Sequence, residues 1–324
     1  NFGDFALAPG RIENDDEDPR LYEDMESLDK VRDTFNKVLE LYNMEKKPMS
    51  LVLFTQALEH VTRIHRIIRN PRGNALLVGV GGSGKQSLTH LAAFCAGLDL
   101  FTVTLSRGYG EDQFKEDLKV LYQKLGKGPV LFLFTDAHVV EEGFLESINN
   151  MLTTGMVPAL YEQDEKDGLC NGVRNEAKAA GIMETPDNLW NFYVNKCRDN
   201  LHIVLAMSPS GSKLRIRCRN FPGLVSNAVI DWFFPWPGDA LKRVAEFFLR
   251  EEQLPEEHRE GVIDHLVFAH QNVTAAASRF AEELRRFYYV TPKNYLDFIA
   301  NYKGQLATNR KHIKRREGGD KSWI

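Results

Sequence analysis

The chain has 324 residues, 43% of them hydrophobic, enough for two or three domains or for one large module with a smaller partner. A net charge of −4 gives the chain as a whole no bias towards nucleic acid or membrane, although an acidic run at 13–18 (ENDDED) and a basic run at 310–316 (RKHIKRR) mark partner-facing or solvated ends. Cys95, Cys170, Cys197 and Cys218 form no CxxC pair and read as reduced thiols of an intracellular protein, the nine histidines lack metal-ligand spacing, and there is no signal peptide or bilayer-length apolar run. The chain opens and closes abruptly, as a fragment of something longer would.

Residues 1–20 read as an irregular, acidic lead-in. Apolar residues at helical spacing predict helices over 28–42 (Leu28, Val31, Phe35, Val38) and 51–68 (Leu53, Phe54, Leu58, Val61, Ile64, Ile68). The turn Asn70-Pro71-Arg72-Gly73 delivers the chain into a short apolar run, Ala75 to Val78. A glycine-rich stretch and a further helix follow. Strands are predicted at 100–105 (LFTVTL), 130–136 (VLFLFTD), 201–207 (LHIVLAM) and 228–234 (AVIDWFF). Helices are predicted at 111–125 and 142–154. Residues 155–200, with DEKDG, a helix-like RNEAKAAG and a Pro186-led helix, look like an insertion in the sheet topology. Beyond Pro235 and Pro237 the pattern is helical, at about 239–252, 256–269, 274–287 and from Thr291-Pro292 onward. Five strands with intervening helices and then a helical segment predict a doubly wound α/β domain with a helical subdomain.

The stretch 74–91 (NALLVGVGGSGKQSLTHL) has the order of a phosphate-binding P-loop: strand, glycine loop, lysine, helix. Gly79, Val80, Gly81, Gly82, Ser83 and Gly84 let successive N–H groups point at one anion, and the helix start adds its positive dipole end. Lys85 supplies a mobile point charge for the β- and γ-phosphates. The pattern departs at the next position. Gln86 stands where Ser or Thr ordinarily binds Mg²⁺, and Ser87 comes one residue late, about 100° further round the helix. Phosphate binding is therefore expected more firmly than metal handling.

Asp136, ending a buried strand, fits the acid that holds Mg²⁺ through water. The next residue, where hydrolysing members of the class carry a glutamate base, is Ala137. His138, Glu141 and Glu142 follow but point elsewhere or lie a turn away. Ser208, after the 201–207 strand, reads as a γ-phosphate sensor or as a plain strand-end serine. Lys213, Arg215, Arg217 and Arg219 form a basic run (KLRIRCRNF at 213–221). It reads as a solvated loop or as the source of an arginine acting in trans on a neighbour's nucleotide, with Arg219 preferred. Lys293, on the first turn after Thr291-Pro292, reads as a cation folding over the phosphates or as a surface lysine.

These residues resemble the fourth AAA+ module of dynein heavy chains, most of all the axonemal type. The resemblance rests on LLVGVGGSGKQSLTHLAAF at 76–94, VLFLFTDAHVVEEGFLESINNMLTTGMVPALY at 130–161, LHIVLAMSPSG at 201–211, RNFPGLVSNAVIDWFFPWPGDAL at 219–241 and TPKNYLDFIANYKGQL at 291–306, nearly the whole chain. Gln86 and the TDAH run are themselves features of that module. The resemblance implies an AAA+ P-loop fold: lead-in helices at 1–73, a large α/β subdomain at 74–234 with the insertion 155–200, a small helical subdomain at 235–300, and the start of a coiled-coil stalk at 301–324. It implies ATP or ADP as ligand, Mg²⁺ as a possible companion, and a regulatory module with weak or absent hydrolysis within a six-module ring whose first module is the main ATPase. It implies as partners the neighbouring modules of the same heavy chain, the microtubule through the stalk, and dynein light and intermediate chains. The location implied is the cytoplasm and cytoskeleton, in the axoneme of a cilium or flagellum. An arginine before Phe-Pro would reach the preceding module's nucleotide, which supports Arg219 without settling it against Arg217. Residues 302–316 would be the stalk root, from whose helix the closing GGDKSWI departs. Two other readings of the chemistry stand beside this one: a competent ATPase with His138 or Glu142 as substitute base, and a structural spacer with a vestigial site. A role on nucleic acid would need a basic surface, against the net charge of −4.

Overall fold

The computed structural model describes residues 2–5 and 22–319, with side chains to Arg315. The acidic run at 13–18 and the final residues 320–324 lie outside the described residues. Two short strands, β1 (Phe2–Gly3) and β2 (Glu23–Asp24), pair antiparallel. Helix α1 (Leu28–Glu45) starts at Ser27, whose hydroxyl accepts the Lys30 N–H at 3.2 Å, and it buries Val31, Phe35, Val38 and Tyr42. Helix α2 (Thr55–Ile68) buries seven of its side chains. It begins four residues later than its apolar pattern predicts, because Leu53 and Phe54 are buried in extended chain ahead of it.

Strand β3 (Ala75–Gly79) leads through the glycine loop to α3 (Lys85–Ala96). There follow β4 (Asp99–Phe101), α4 (Glu111–Leu125), β5 (Val130–Thr135), α5 (Gly143–Thr154), α6 (Gln163–Ala179), α7 (Pro186–Asn200), β6 (Leu201–Met207), α8 (Lys213–Asn220), a single turn α9 (Gly223–Ser226) and β7 (Val229–Phe233). The sheet order is β4-β5-β6-β3-β7, every pair parallel. Its three inner strands are buried at every residue, and β5 and β6 are the longest of them. That is the composition of a parallel sheet covered on both faces, and it is why these two strands read as unbroken apolar runs. Burying rings such as Phe132 and Phe134 stabilises the fold by about 1.5–3 kcal/mol each.

The predicted strand 100–105 is corrected to Asp99–Phe101. Among the described residues β4 is an edge strand with β5 alone as partner, so Thr102 to Leu105 lose the ladder despite their β-branched pattern. The 155–200 segment is built into the α/β unit. Tyr122 Oη donates to Gly155 O (2.8 Å), Tyr193 Oη donates to Tyr122 O (3.1 Å), and Arg198 donates to Thr153 O (2.9 Å). Burial pushes the Tyr122 and Tyr193 phenols well above the ordinary range, so both remain donors. At the other edge of the sheet, the buried Asp231 of β7 accepts from His60 (2.8 Å) and Arg63 on α2.

Two compact units divide the chain: Asn1–Gly79 with Gly84–Phe233, and Val80–Ser83 with Phe234–Ile324. The second contains α10 (Gly238–Leu249), α11 (Glu256–Leu284) and α12 (Pro292–Gly319). The helices predicted at 256–269 and 274–287 are one 29-residue helix. No proline interrupts it, and alanines 275–277 carry it past the polar stretch. Helix α12 opens on a reciprocal cap: Thr291 Oγ1 accepts the Asn294 N–H (3.3 Å), and Asn294 Oδ1 accepts the Thr291 N–H (2.8 Å). Tyr295 Oη and Lys303 Nζ tie α12 to the Leu241 and Phe248 carbonyls at 3.0 Å each. No helix of the described residues is long and apolar enough to cross a membrane.

A candidate nucleotide site at the ends of three strands

Open α/β sheets bind ligands beyond the carboxyl ends of their strands. Three adjacent strands, β5, β6 and β3, end here, with Asp136 and Ser208 directly following the first two and Gly79 closing the third. The loop after β3 needs backbone that only glycine adopts readily: Gly82 has φ +78° and Gly84 has φ +96°. A Cβ on Gly82 would fall 2.5 Å from the Lys293 backbone nitrogen, inside any real contact distance. Lys293 thus stands beside the loop at its backbone. Next to Gly81 there is open space, and Ser83 is buried.

Lys85 starts α3 and donates through Nζ to the Gly79 carbonyl at 2.5 Å. Burial lowers its ammonium to about 8, and the nearby Asp136 charge offsets part of that. A lysine held across its own loop, with two left-handed glycines and a helix start, fits a phosphate group. When bound, a nucleotide's phosphates would be held by Gly79–Lys85. Of the next two side chains, Gln86 is exposed and Ser87 half-buried.

The acid side of the site differs from the sequence expectation. Asp136 opens a 3₁₀ turn, Asp136–His138. Its Oδ2 accepts the Ser208 N–H at 2.5 Å and its Oδ1 accepts Arg217 Nη1 at 2.8 Å. Arg217 reaches Glu142 Oε1 as well, through Nε at 3.2 Å and Nη2 at 2.9 Å. With 7% exposure it is one of the few buried charges of the fold. Arg217, read from sequence as the alternative to Arg219 for action in trans, has its guanidinium on two carboxylates of its own chain. Helix α8 turns Lys213, Arg215 and Arg219 outward. The Ser208 hydroxyl donates to Ser210 Oγ at 3.1 Å, so it is the Ser208 backbone that meets Asp136.

Both oxygens of Asp136 thus have partners, and the donor set does not fit a divalent ion at this carboxylate as it stands. Among the described residues no group of three or more His, Cys, Asp or Glu side chains could hold a metal. The other basic candidates are also engaged or shifted. His138 Nδ1 accepts the Thr135 N–H at 3.2 Å, and burial lowers its pKa. Glu142, read from sequence as a distant substitute base, is the second carboxylate on Arg217. The period-two spacing of Arg215, Arg217 and Arg219 held a signal for this. On a helix, steps of two rotate by about 200°, so one arginine of the three must face away from the others.

A five-stranded parallel sheet of this order, a P-loop on its central region and an acid at the end of β5 define an AAA+ P-loop module. The family profile described as P-loop containing dynein motor region D4 matches residues 49–304, and the chain belongs to that family. The chain is 58% identical over 317 residues to the dynein-1-alpha heavy chain of the flagellar inner arm I1 complex of Chlamydomonas reinhardtii, covering 97% of this chain and 7% of that protein. It is 52% identical over 325 residues to dynein axonemal heavy chain 10 of Homo sapiens, covering 98% and 7%. To dynein axonemal heavy chain 6 of Homo sapiens it is 45% identical over 317 residues, covering 96% and 8%. It spans 7–8% of the length of these relatives. This makes it a nucleotide-binding AAA+ module of the axonemal dynein heavy-chain kind, with the axoneme of the cilium or flagellum as its place.

Proposed function

We propose that the chain is a regulatory module that binds ATP or ADP through Gly79–Lys85 and turns it over slowly or not at all. The observation that carries this reading is Ala137. A methyl group follows Asp136 where a base is needed to align water, and it neither accepts a proton nor orients one. The engagement of His138 with Thr135 and of Glu142 with Arg217 supports the same reading, since each proposed substitute base already has a partner. Within the larger motor, nucleotide state here modulates a ring whose main turnover lies in another module. Arg219, exposed at the end of α8, is the residue we assign to the preceding module's nucleotide, and Lys293 to the phosphates held by this loop. Helix α12 is the root of the stalk to the microtubule, and light and intermediate chains complete the assembly.

The test is ATP turnover and fluorescent-nucleotide binding by the 324-residue chain, with Lys85→Ala as control. Binding that is lost in Lys85→Ala, with turnover far below 1 s⁻¹, is expected; turnover on the order of 1 s⁻¹ or faster, as in ordinary enzymes, refutes the regulatory reading.

A further inference from the structure

The buried guanidinium at the end of β5 has a role of its own. Arg217 makes three hydrogen bonds to two carboxylates: one to Asp136 Oδ1 and two to Glu142 Oε1. The remaining Asp136 oxygen is taken by the Ser208 N–H. A planar, permanently charged fork held at both ends is fixed in place, unlike a lysine on a flexible stem. Pulling it away would leave a buried cation without its counter-charges, which is costly.

Mg²⁺ ordinarily enters a P-loop site through one acid and one hydroxyl, keeping several waters. Here the hydroxyl position holds Gln86, and the acid already has a cation.

We propose that Arg217 is the resident cation of this site: it holds Asp136 in the place of a divalent ion, so that the nucleotide binds without help from Mg²⁺. The proposal rests on the reading that Gly79–Lys85 holds a nucleotide. Lys85 then supplies positive charge at the start of α3, while Arg217 offsets the charge of Asp136. A metal ion gains access to Asp136 only by displacing a guanidinium that Glu142 holds in position. Arg217 is thus a positioning residue, and Glu142 is its anchor.

Two readouts test this, neither of them turnover. The first is Mn²⁺ binding without nucleotide, followed by loss of the free-ion electron paramagnetic resonance signal. The wild-type chain should bind Mn²⁺ at least tenfold more weakly than Arg217→Gln, about the factor carried by one charge-assisted hydrogen bond. Arg217→Lys, which keeps the charge, should remain closer to wild type. Equal Mn²⁺ affinity in wild type and Arg217→Gln overturns the proposal. Should Arg217→Gln fail to fold, the second readout decides on the wild-type chain alone. The dissociation constant for fluorescent ADP should agree within about threefold between excess Mg²⁺ and EDTA, whereas a tenfold or greater tightening by Mg²⁺ overturns the proposal. Failure to bind nucleotide in either medium refutes the nucleotide reading, and the Mn²⁺ comparison still decides whether Arg217 excludes metal from Asp136.

Discussion

Raising the pH from 7 to 9 is expected to weaken nucleotide binding by about tenfold, through Lys85. Burial lowers its ammonium from 10.5 to about 8, with the Asp136 charge working in the opposite direction. The side chain is therefore about nine-tenths charged at pH 7 and about one-tenth charged at pH 9. Bound phosphate favours the charged form and raises the pKa, so above pH 8 binding must take up a proton. The affinity should fall by nearly one decade per pH unit there, and the ratio between pH 7 and pH 9 comes to about ten. The phosphate itself has lost its last proton by about pH 7, and arginine does not titrate in this range. Fluorescent ADP titrations at pH 7, 8 and 9, at constant ionic strength, measure the effect. Lys85→Arg should give a nearly flat profile. A wild-type change below about twofold, or the same fall in Lys85→Arg, refutes the assignment. Stability should move the other way. Between about 8 and 10.5 the unfolded chain binds this proton and the folded chain does not, so the Lys85 contribution to stability rises with pH.

Three further outcomes are expected. Gly82→Ala should lower the urea midpoint by the equivalent of at least about 1–2 kcal/mol, since the left-handed φ alone costs that much and the new Cβ meets Lys293 backbone. An unchanged midpoint would mean the loop relaxes without resistance. Arg63→Ala should cost about 1–3 kcal/mol in chemical denaturation, its 47% exposure keeping the loss moderate while His60 remains on Asp231. Adding His60→Ala leaves Asp231 buried and alone, and the total should rise to about 3–5 kcal/mol. Thr185→Ala removes the side chain that caps α7 at the Asn188 N–H and should cost about 1 kcal/mol.

Legibility from sequence followed burial. Strands β5 and β6 are buried on both faces, so their apolar runs delimit them to within a residue. Strand β4 has a single partner among the described residues, and nothing local marks where pairing with β5 stops. Helix α11 buries only Ile263 and Leu266, so its apolar spacing is weak in the middle and reads as two helices. The turn of the glycine loop was legible because Gly82 and Gly84 take the left-handed φ that glycine adopts readily. Arg217 was not, because its partners lie 75 and 81 positions away and only the folded sheet brings them together. The basic run showed that charge was present, but the direction each side chain faces is set by where α8 starts.

Helix α12 also has a mechanical consequence. Its 28 residues at about 1.5 Å each make a rod of about 42 Å. Tyr295, Lys303 and, past its midpoint, Arg310 fasten it, the last through the Gln253 carbonyl and Glu252, and its second residue, Lys293, abuts Gly82. The geometry is that of a lever with its short arm at a glycine. A tilt of about 5° about the first turn displaces the far end by about 4 Å, close to the 5.4 Å of one helical turn. A shift at the loop too small to disturb the packing around Tyr295 becomes, at the other end, a displacement on the scale by which one helix slides past another.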